Sequence, residues 1–247
     1  MEDAPRNGRH PGGRPRIEAL ADDAWLVTLG TRIDDATNAA VHALAARLNE
    51  HAPPWLRDVV PAYASLSVHV DEAVIDPAAV RAWLHARIAA STGDGAARPG
   101  PPREAIDVPV LYGGDAGPDL AAAARELGLG EDELVARHAA ATYTVAMIGF
   151  APGFPYLSGL DPALALPRLA TPRTRVPAGS VAIGGAQTGI YPRESPGGWR
   201  LIGRTPRLLF DPARKAPSLL VPGDRVRFRA VDAATFESIA GRTDVPT

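Results

Sequence analysis

The sequence predicts an α+β protein, a small α/β sandwich followed by a larger domain of short strands. Two contrasts predict it. Residues 17–90 alternate short apolar runs with segments of helical periodicity. Residues 149–205 place glycine, proline or an aromatic every few positions and leave no room for a long helix. Between these patterns, residues 91–103 read STGDGAARPGPPR, the composition of a linker. The expected organisation is a disordered leader at 1–15, an α/β domain at 16–92, a linker at 93–103 and a β-rich domain at 104–247.

In the first domain, residues 24–29 form an apolar run with Trp25, Val27 and Leu29 on one face. Asp34 is placed to cap the helix that follows, where Val41, Leu44, Ala45 and Leu48 recur at helical spacing and Pro53-Pro54 ends it. Residues 56–60 and 65–70 read as paired strands around Pro61-Ala62. Asp76-Pro77 is a cap followed by proline at the first helical position, and Val80, Trp83, Leu84 and Ile88 supply the buried stripe. The expected order is βαββα.

In the second domain, residues 106–111 read as a strand and 117–140 as two short helices broken at Gly128-Leu129-Gly130. Further strands are expected at 143–148, 180–183, 199–202, 208–210 and 225–230, the last after the turn Pro222-Gly223-Asp224. Many short strands with turns between them indicate a barrel or a sandwich.

Composition narrows the chemistry. The chain contains no cysteine, which excludes disulfides and thiolate chemistry and suits a cytoplasmic protein. No apolar run approaches the ~18–20 residues of a membrane span. Of 26 basic residues one is lysine, Lys215, and there is no GxxxxGK[ST] motif, so a P-loop is absent. His138 is the sole histidine after residue 85, which rules out a polyhistidine metal site in the second half; no metal is expected. A net charge of −2 and the lack of a recognised module argue against nucleic-acid binding.

Against that slightly negative whole, one window is basic. From Gly149 to Phe210, two carboxylates (Asp161, Glu194) stand against seven arginines (Arg168, Arg173, Arg175, Arg193, Arg200, Arg204, Arg207), an excess of 7 − 2 = 5. Such a surface suits an anionic ligand.

The same window contains Gly149-Phe150-Ala151-Pro152-Gly153-Phe154-Pro155-Tyr156-Leu157, then Thr171-Pro172-Arg173-Thr174-Arg175-Val176-Pro177-Ala178-Gly179-Ser180. Gln187-Thr188-Gly189-Ile190-Tyr191-Pro192, Glu194-Ser195-Pro196-Gly197-Gly198-Trp199 and Ile202-Gly203-Arg204-Thr205-Pro206 follow. In this order the five blocks resemble the family of 5-oxoprolinase B-type subunits, also known as allophanate hydrolase subunit 1 or the KipI family. Residues 59–63 and the element order extend the resemblance into the first half.

The resemblance implies a cyclophilin-like C-terminal β-barrel with a smaller N-terminal α/β domain. It implies two partners of the oxoprolinase: a C-type subunit similar to a second copy of the barrel, and an A-type subunit. The implied activity is ATP-dependent opening of 5-oxo-L-proline to L-glutamate. Two alternatives share the motifs: a component of an allophanate hydrolase or urea carboxylase type amidolyase, and an inhibitor of a histidine kinase. ATP with magnesium is the expected cofactor, bound at a subunit interface. Similarity to prolyl isomerases at the level of fold does not transfer their activity.

Specific residues then become candidates. Arg173, Arg175, Arg193, Arg200 and Arg204 suit phosphate or carboxylate, or else pair with a partner. Glu194 is either a general base or one half of a salt bridge to Arg193 or Arg204. His138 lies on the apolar face of its helix, as a packed side chain favoured in its charged form by the helix C-terminus, or as a catalytic group. Phe150, Phe154, Tyr156, Tyr191 and Trp199 are expected to line a groove or an interface, since loops rarely reach a core. Gln187 is placed to donate to a substrate carbonyl. Ser195 lacks a paired histidine and a GxSxG elbow, and reads as a turn hydroxyl.

Overall fold

A computed structural model describes residues 15–50, 52–90 and 104–243. The chain divides into two compact units, Met1–Gly100 and Pro101–Thr247. The expected leader, Pro15 aside, and the expected linker at 93–103 lie outside the described residues. The α+β prediction holds.

The first unit is a four-stranded antiparallel sheet in the order β1-β2-β4-β3, with two helices. Its elements are β1 (Arg16–Ala21), β2 (Ala24–Thr28), α1 (Asp35–Glu50), β3 (Leu56–Pro61), β4 (Ser65–Val70) and α2 (Pro77–Ala89). Strand alternation sends Trp25, Val27, Leu66, Val68 and Val70 into a core shared with Val41, Leu44, Leu48, Val80 and Leu84 of the helices. Both helix starts are capped as expected. The Asp34 carboxylate accepts from the Thr37 N–H and hydroxyl, each at 2.8 Å, and Asp76 accepts from Ala78 N at 2.6 Å.

The order is ββαββα, not βαββα. Strand β1 escapes sequence reading because its side chains are almost all exposed, so it carries no apolar alternation. It exists through its backbone pairing to β2.

The second unit is a closed seven-stranded barrel in the order β10-β7-β6-β13-β5-β12-β9. These strands are β5 (Ile106–Tyr112), β6 (Thr142–Ile148), β7 (Pro155–Ser158), β9 (Ser180–Gly184), β10 (Gln187–Ile190), β12 (Arg200–Arg204) and β13 (Arg225–Ala230). All described pairings in it are antiparallel except β5 with β13. Closure leaves the barrel without a free edge. Val108, Val110, Tyr143, Val145, Leu157, Val181, Ile183, Ile190, Ile202, Val226 and Phe228 belong to its core, joined by Leu120, Ala123, Ala124 and Leu134 of two helices.

Those helices are α3 (Leu120–Leu127) and α4 (Glu131–Ala140). The break between them is Gly128, whose φ of 68° ends α3 in the left-handed region. A short ribbon of β8 (Arg173–Val176) and β11 (Ser195–Gly197) stands apart from the barrel sheet. Residues 208–210, expected as a strand, make one isolated bridge between Phe210 and Ser218. A C-terminal helix, α5 (Ala233–Thr243), has no counterpart among the expected elements. No helix among the described residues is long and apolar enough to cross a membrane.

Candidate functional site

The glycine- and proline-rich loops build a second, smaller core beside the main one. Ala151, Phe154, Val176, Ala182, Tyr191, Trp199 and Leu201 form it, with Tyr156 packed against it. Its rings meet edge to face: Phe154 lies 5.1 Å from Tyr191 and 5.8 Å from Trp199, centroid to centroid. Gly184 and Gly197 make this packing possible, because a Cβ at either would collide with Trp199 or with the Tyr191 ring and hydroxyl.

The expectation of an aromatic-lined groove is corrected accordingly. Phe154, Tyr191 and Trp199 are buried, Tyr156 is half-buried, and Phe150 alone of the five is exposed, at 59%. Phe150 sits on a tight loop closed by Ala151 N–H to Gly149 O at 2.7 Å and Phe154 N–H to Ala151 O at 3.0 Å. Its φ is 65°, a left-handed conformation that bulky side chains avoid. Among the described residues it is the one non-glycine with positive φ.

The arginines are mostly tied to the protein itself. Arg173 donates to Asp119 Oδ1 at 2.6 Å, while Asp119 Oδ2 accepts the Leu201 N–H at 2.7 Å. Asp119 precedes α3 and looks like a helix cap, yet its side chain makes no capping bond. Instead it joins β8 to β12. Sequence reading passes over it because an Asp before a helix has an ordinary explanation.

Arg200 donates to Glu126 Oε2 at 2.8 Å and to the Pro167 carbonyl at 3.2 Å. Arg204 donates to the Ala178 carbonyl at 2.8 Å. Arg175 forms a two-pronged pair with Glu194, at 2.9 and 2.8 Å.

That last pair revises the reading of Glu194. Its partner is Arg175 across the β8–β11 ribbon, not Arg193 or Arg204. Hydrogen bonding from Arg175 holds the carboxyl below the usual carboxylate range. A carboxylate stabilised in its charged form is a weaker proton acceptor, so the general-base reading loses its chemical support.

His138 is fully buried inside the barrel unit and stacks on Phe228 at 4.6 Å. The Thr188 hydroxyl donates to Ala182 O at 3.0 Å, so it accepts from His138 Nε2–H at 2.9 Å. His138 Nδ1 is then left to accept the Tyr112 hydroxyl at 2.8 Å. A neutral imidazole satisfies both bonds, and burial lowers its pKa to about 3. The expected charged form is overturned, because desolvation outweighs the helix terminus. The ring serves the barrel interior and reaches no surface where a catalytic group would meet substrate. Tyr112 and Thr188, its partners, carry no signal in sequence. Gln187 begins β10 opposite Gly184, half-buried at the β9–β10 turn.

The model of the carboxyltransferase domain, subdomain C and D, matches residues 15–220. The B-type subunit of 5-oxoprolinase from Bacillus subtilis (strain 168) is 40% identical over 235 residues, 91% of this chain and 96% of that protein. Its counterpart from Escherichia coli O157:H7 is 58% identical over 123 residues, 50% of this chain and 56% of that one. The structure of the K. lactis urea amidolyase superposes with a TM-score of 0.73 at 22% identity, over 93% of this chain and 16% of that one. That likeness speaks for the fold. The match across most of the chain, together with the relative aligned almost end to end, makes this chain a member of the carboxyltransferase subdomain C and D family, of the 5-oxoprolinase B-type.

Proposed function

We propose that this chain is the B-type subunit of an ATP-dependent 5-oxoprolinase that opens 5-oxo-L-proline to L-glutamate. The observation that supports this best is 40% identity spanning 96% of the B. subtilis protein of that name. Water adds across the lactam C–N bond as ATP is hydrolysed to ADP and phosphate. The ring carbonyl carbon becomes the side-chain carboxylate of glutamate, and the ring nitrogen becomes its amine.

The arginines expected to hold a nucleotide, Arg173, Arg175, Arg200 and Arg204, do not fit a magnesium–nucleotide site. They are engaged by Asp119, Glu194, Glu126 and main-chain carbonyls. No group of three or more His, Asp or Glu able to hold a metal occurs among the described residues. His138 is sealed and neutral, and Glu194 is held in its ionised form. We therefore assign nucleotide handling to the assembly with the C-type and A-type subunits. The contribution of this chain is a rigid face that positions substrate.

Reconstitution tests this. The purified chain with ATP, magnesium and 5-oxo-L-proline should release no glutamate, and adding the C-type and A-type subunits should start release. Turnover by the isolated chain would contradict the division of labour. A complete set that ignores 5-oxoproline yet consumes a urea-derived substrate would favour the amidolyase reading.

A further inference from the structure

The described sheet of the first unit has two outer strands, and they differ. On one side β3 is held by α1, carries a register shift between Leu56 and Asp58 and ends in Pro61; the last two features hinder a further strand. On the other side β1 has a regular register with β2 over Arg16–Ala19, its shift coming later, between Ala19 and Ala21. Five of its six side chains are exposed, and Ile17 is half-buried against the core. Its backbone pairs with β2 alone among the described residues. The outward N–H and C=O groups of β1 are therefore an open template for one more strand.

The sequence of β1, Arg-Ile-Glu-Ala-Leu-Ala, selects what that strand is. Residues facing each other in an antiparallel pair lie on the same side of the sheet. Two copies of β1 related by a two-fold axis through the sheet are therefore centred on a residue. Centred on Glu18, the pairing sets Glu18 against Glu18, and like charges directly opposite repel. Centred on Ala19, it sets Glu18 against the apolar Leu20. Centred on Ile17, it sets Ile17 against Ile17 and each Arg16 against the Glu18 of the second copy. Within one chain Arg16 already reaches Glu18 at 2.8 Å, two residues along on the same side of the strand. The two copies thus join into a ring of four alternating charges.

We propose that β1 is a self-pairing edge: a second copy of this chain adds its own β1 antiparallel, centred on Ile17, and joins the two four-stranded sheets into one. Backbone hydrogen bonds give the affinity, the Arg16–Glu18 pairs fix the register, and the two Ile17 side chains close over the edge of each core. A ladder of this length makes a weak, reversible dimer rather than a permanent one. The pairing is independent of the reaction assigned above, because it uses only the first unit.

The test is the oligomeric state of the full chain, measured by sedimentation velocity over a concentration series. The wild type is expected to shift from monomer to dimer as concentration rises. Glu18→Arg sets arginine opposite arginine, and Arg16→Glu sets glutamate opposite glutamate. Either variant alone should dimerise roughly tenfold more weakly, or not at all. An equimolar mixture of the two variants restores both opposite-charge pairs and should dimerise about as well as the wild type. The double variant Arg16→Glu/Glu18→Arg should do the same on its own.

A wild type that stays monomeric at its highest soluble concentration overturns the proposal. So does a dimer that both single variants form as readily as the wild type, since it is then built on another surface. Weakened variants that the mixture fails to rescue overturn it too, because the substitutions then act on folding and not across two paired β1 strands. If β1 instead takes a strand from a different protein, the wild type alone stays monomeric and a heteromeric complex is lost on Glu18→Arg, which also overturns it.

Discussion

The barrel of this protein is expected to weaken on mild acidification because of one side chain, His138. In the folded chain its imidazole is neutral, with a pKa of about 3 caused by burial. In the unfolded chain it takes up a proton near pH ~6.5. Between those values the unfolded state holds more protons, so stability rises with pH. The contribution is fully present above about pH 6.5 and is lost as pH falls toward 3.

At roughly 1.4 kcal/mol per pH unit, moving from pH 7 to pH 5 costs about 2 kcal/mol. That is a sizeable part of a typical stability of ~5–15 kcal/mol. The window lies above the main carboxylate titrations, which keeps the effect separable. Urea unfolding at pH 7, 6 and 5 measures it in the wild type and in His138→Gln, whose amide can donate to Thr188 and accept from Tyr112. The variant should lose this slope while the wild type keeps it. In the folded wild type, the His138 ring-proton resonance should stay at its neutral position from pH 8 to 5. A midpoint near ~6.5 in that resonance, or parallel slopes in the two proteins, would refute the assignment of a sealed neutral imidazole.

Other outcomes follow from the same contacts. Asp119→Ala leaves Arg173 and the Leu201 N–H without their acceptor and should cost about 2–4 kcal/mol in urea unfolding; a change near zero would mean the joint between β8 and β12 is dispensable. Gly184→Ala drives a methyl into the Trp199 ring and should cost about 1–3 kcal/mol or more with a shift in tryptophan emission, whereas Gly130→Ala, which meets nothing, should be close to neutral. Phe154→Ala should cost about 3–5 kcal/mol, while Phe150→Asn, at an exposed position where asparagine tolerates positive φ, should change stability little. Equal losses in the last two variants would show that Phe150 belongs to the core.

Long elements with strong periodicity were readable in the sequence. The stripe Val41, Leu44, Ala45, Leu48 gave α1, and Gly128 located the break between α3 and α4. Strands of three or four residues such as β7, β8, β10 and β11 were not readable, because so short a run shows no alternation. They form by pairing with partners that the local sequence does not display. Closure of the barrel was legible through the resemblance, not through any pattern of residues.

The loop-rich stretch was legible in the sequence as a separate packing unit, but its electrostatics were misread. Counting charges between Gly149 and Phe210 gives an excess of five, but two of the compensating carboxylates lie outside that window. Asp119 meets Arg173 across 54 residues of sequence, and Glu126 meets Arg200 across 74. Helix α3, folded beside β12, carries Glu126 and the Asp119 that precedes it into the basic region. A local sum cannot register such pairing, which depends on topology. The aromatics were misread for a related reason. A loop can reach a core when a ribbon such as β8–β11 provides the opposite wall, and Phe154, Tyr191 and Trp199 then become interior. What stays outward is a smaller set that includes Phe150 and Arg168. Functional candidates in such a region are better sought among side chains whose charge or conformation the fold leaves unsatisfied than among those that are most numerous.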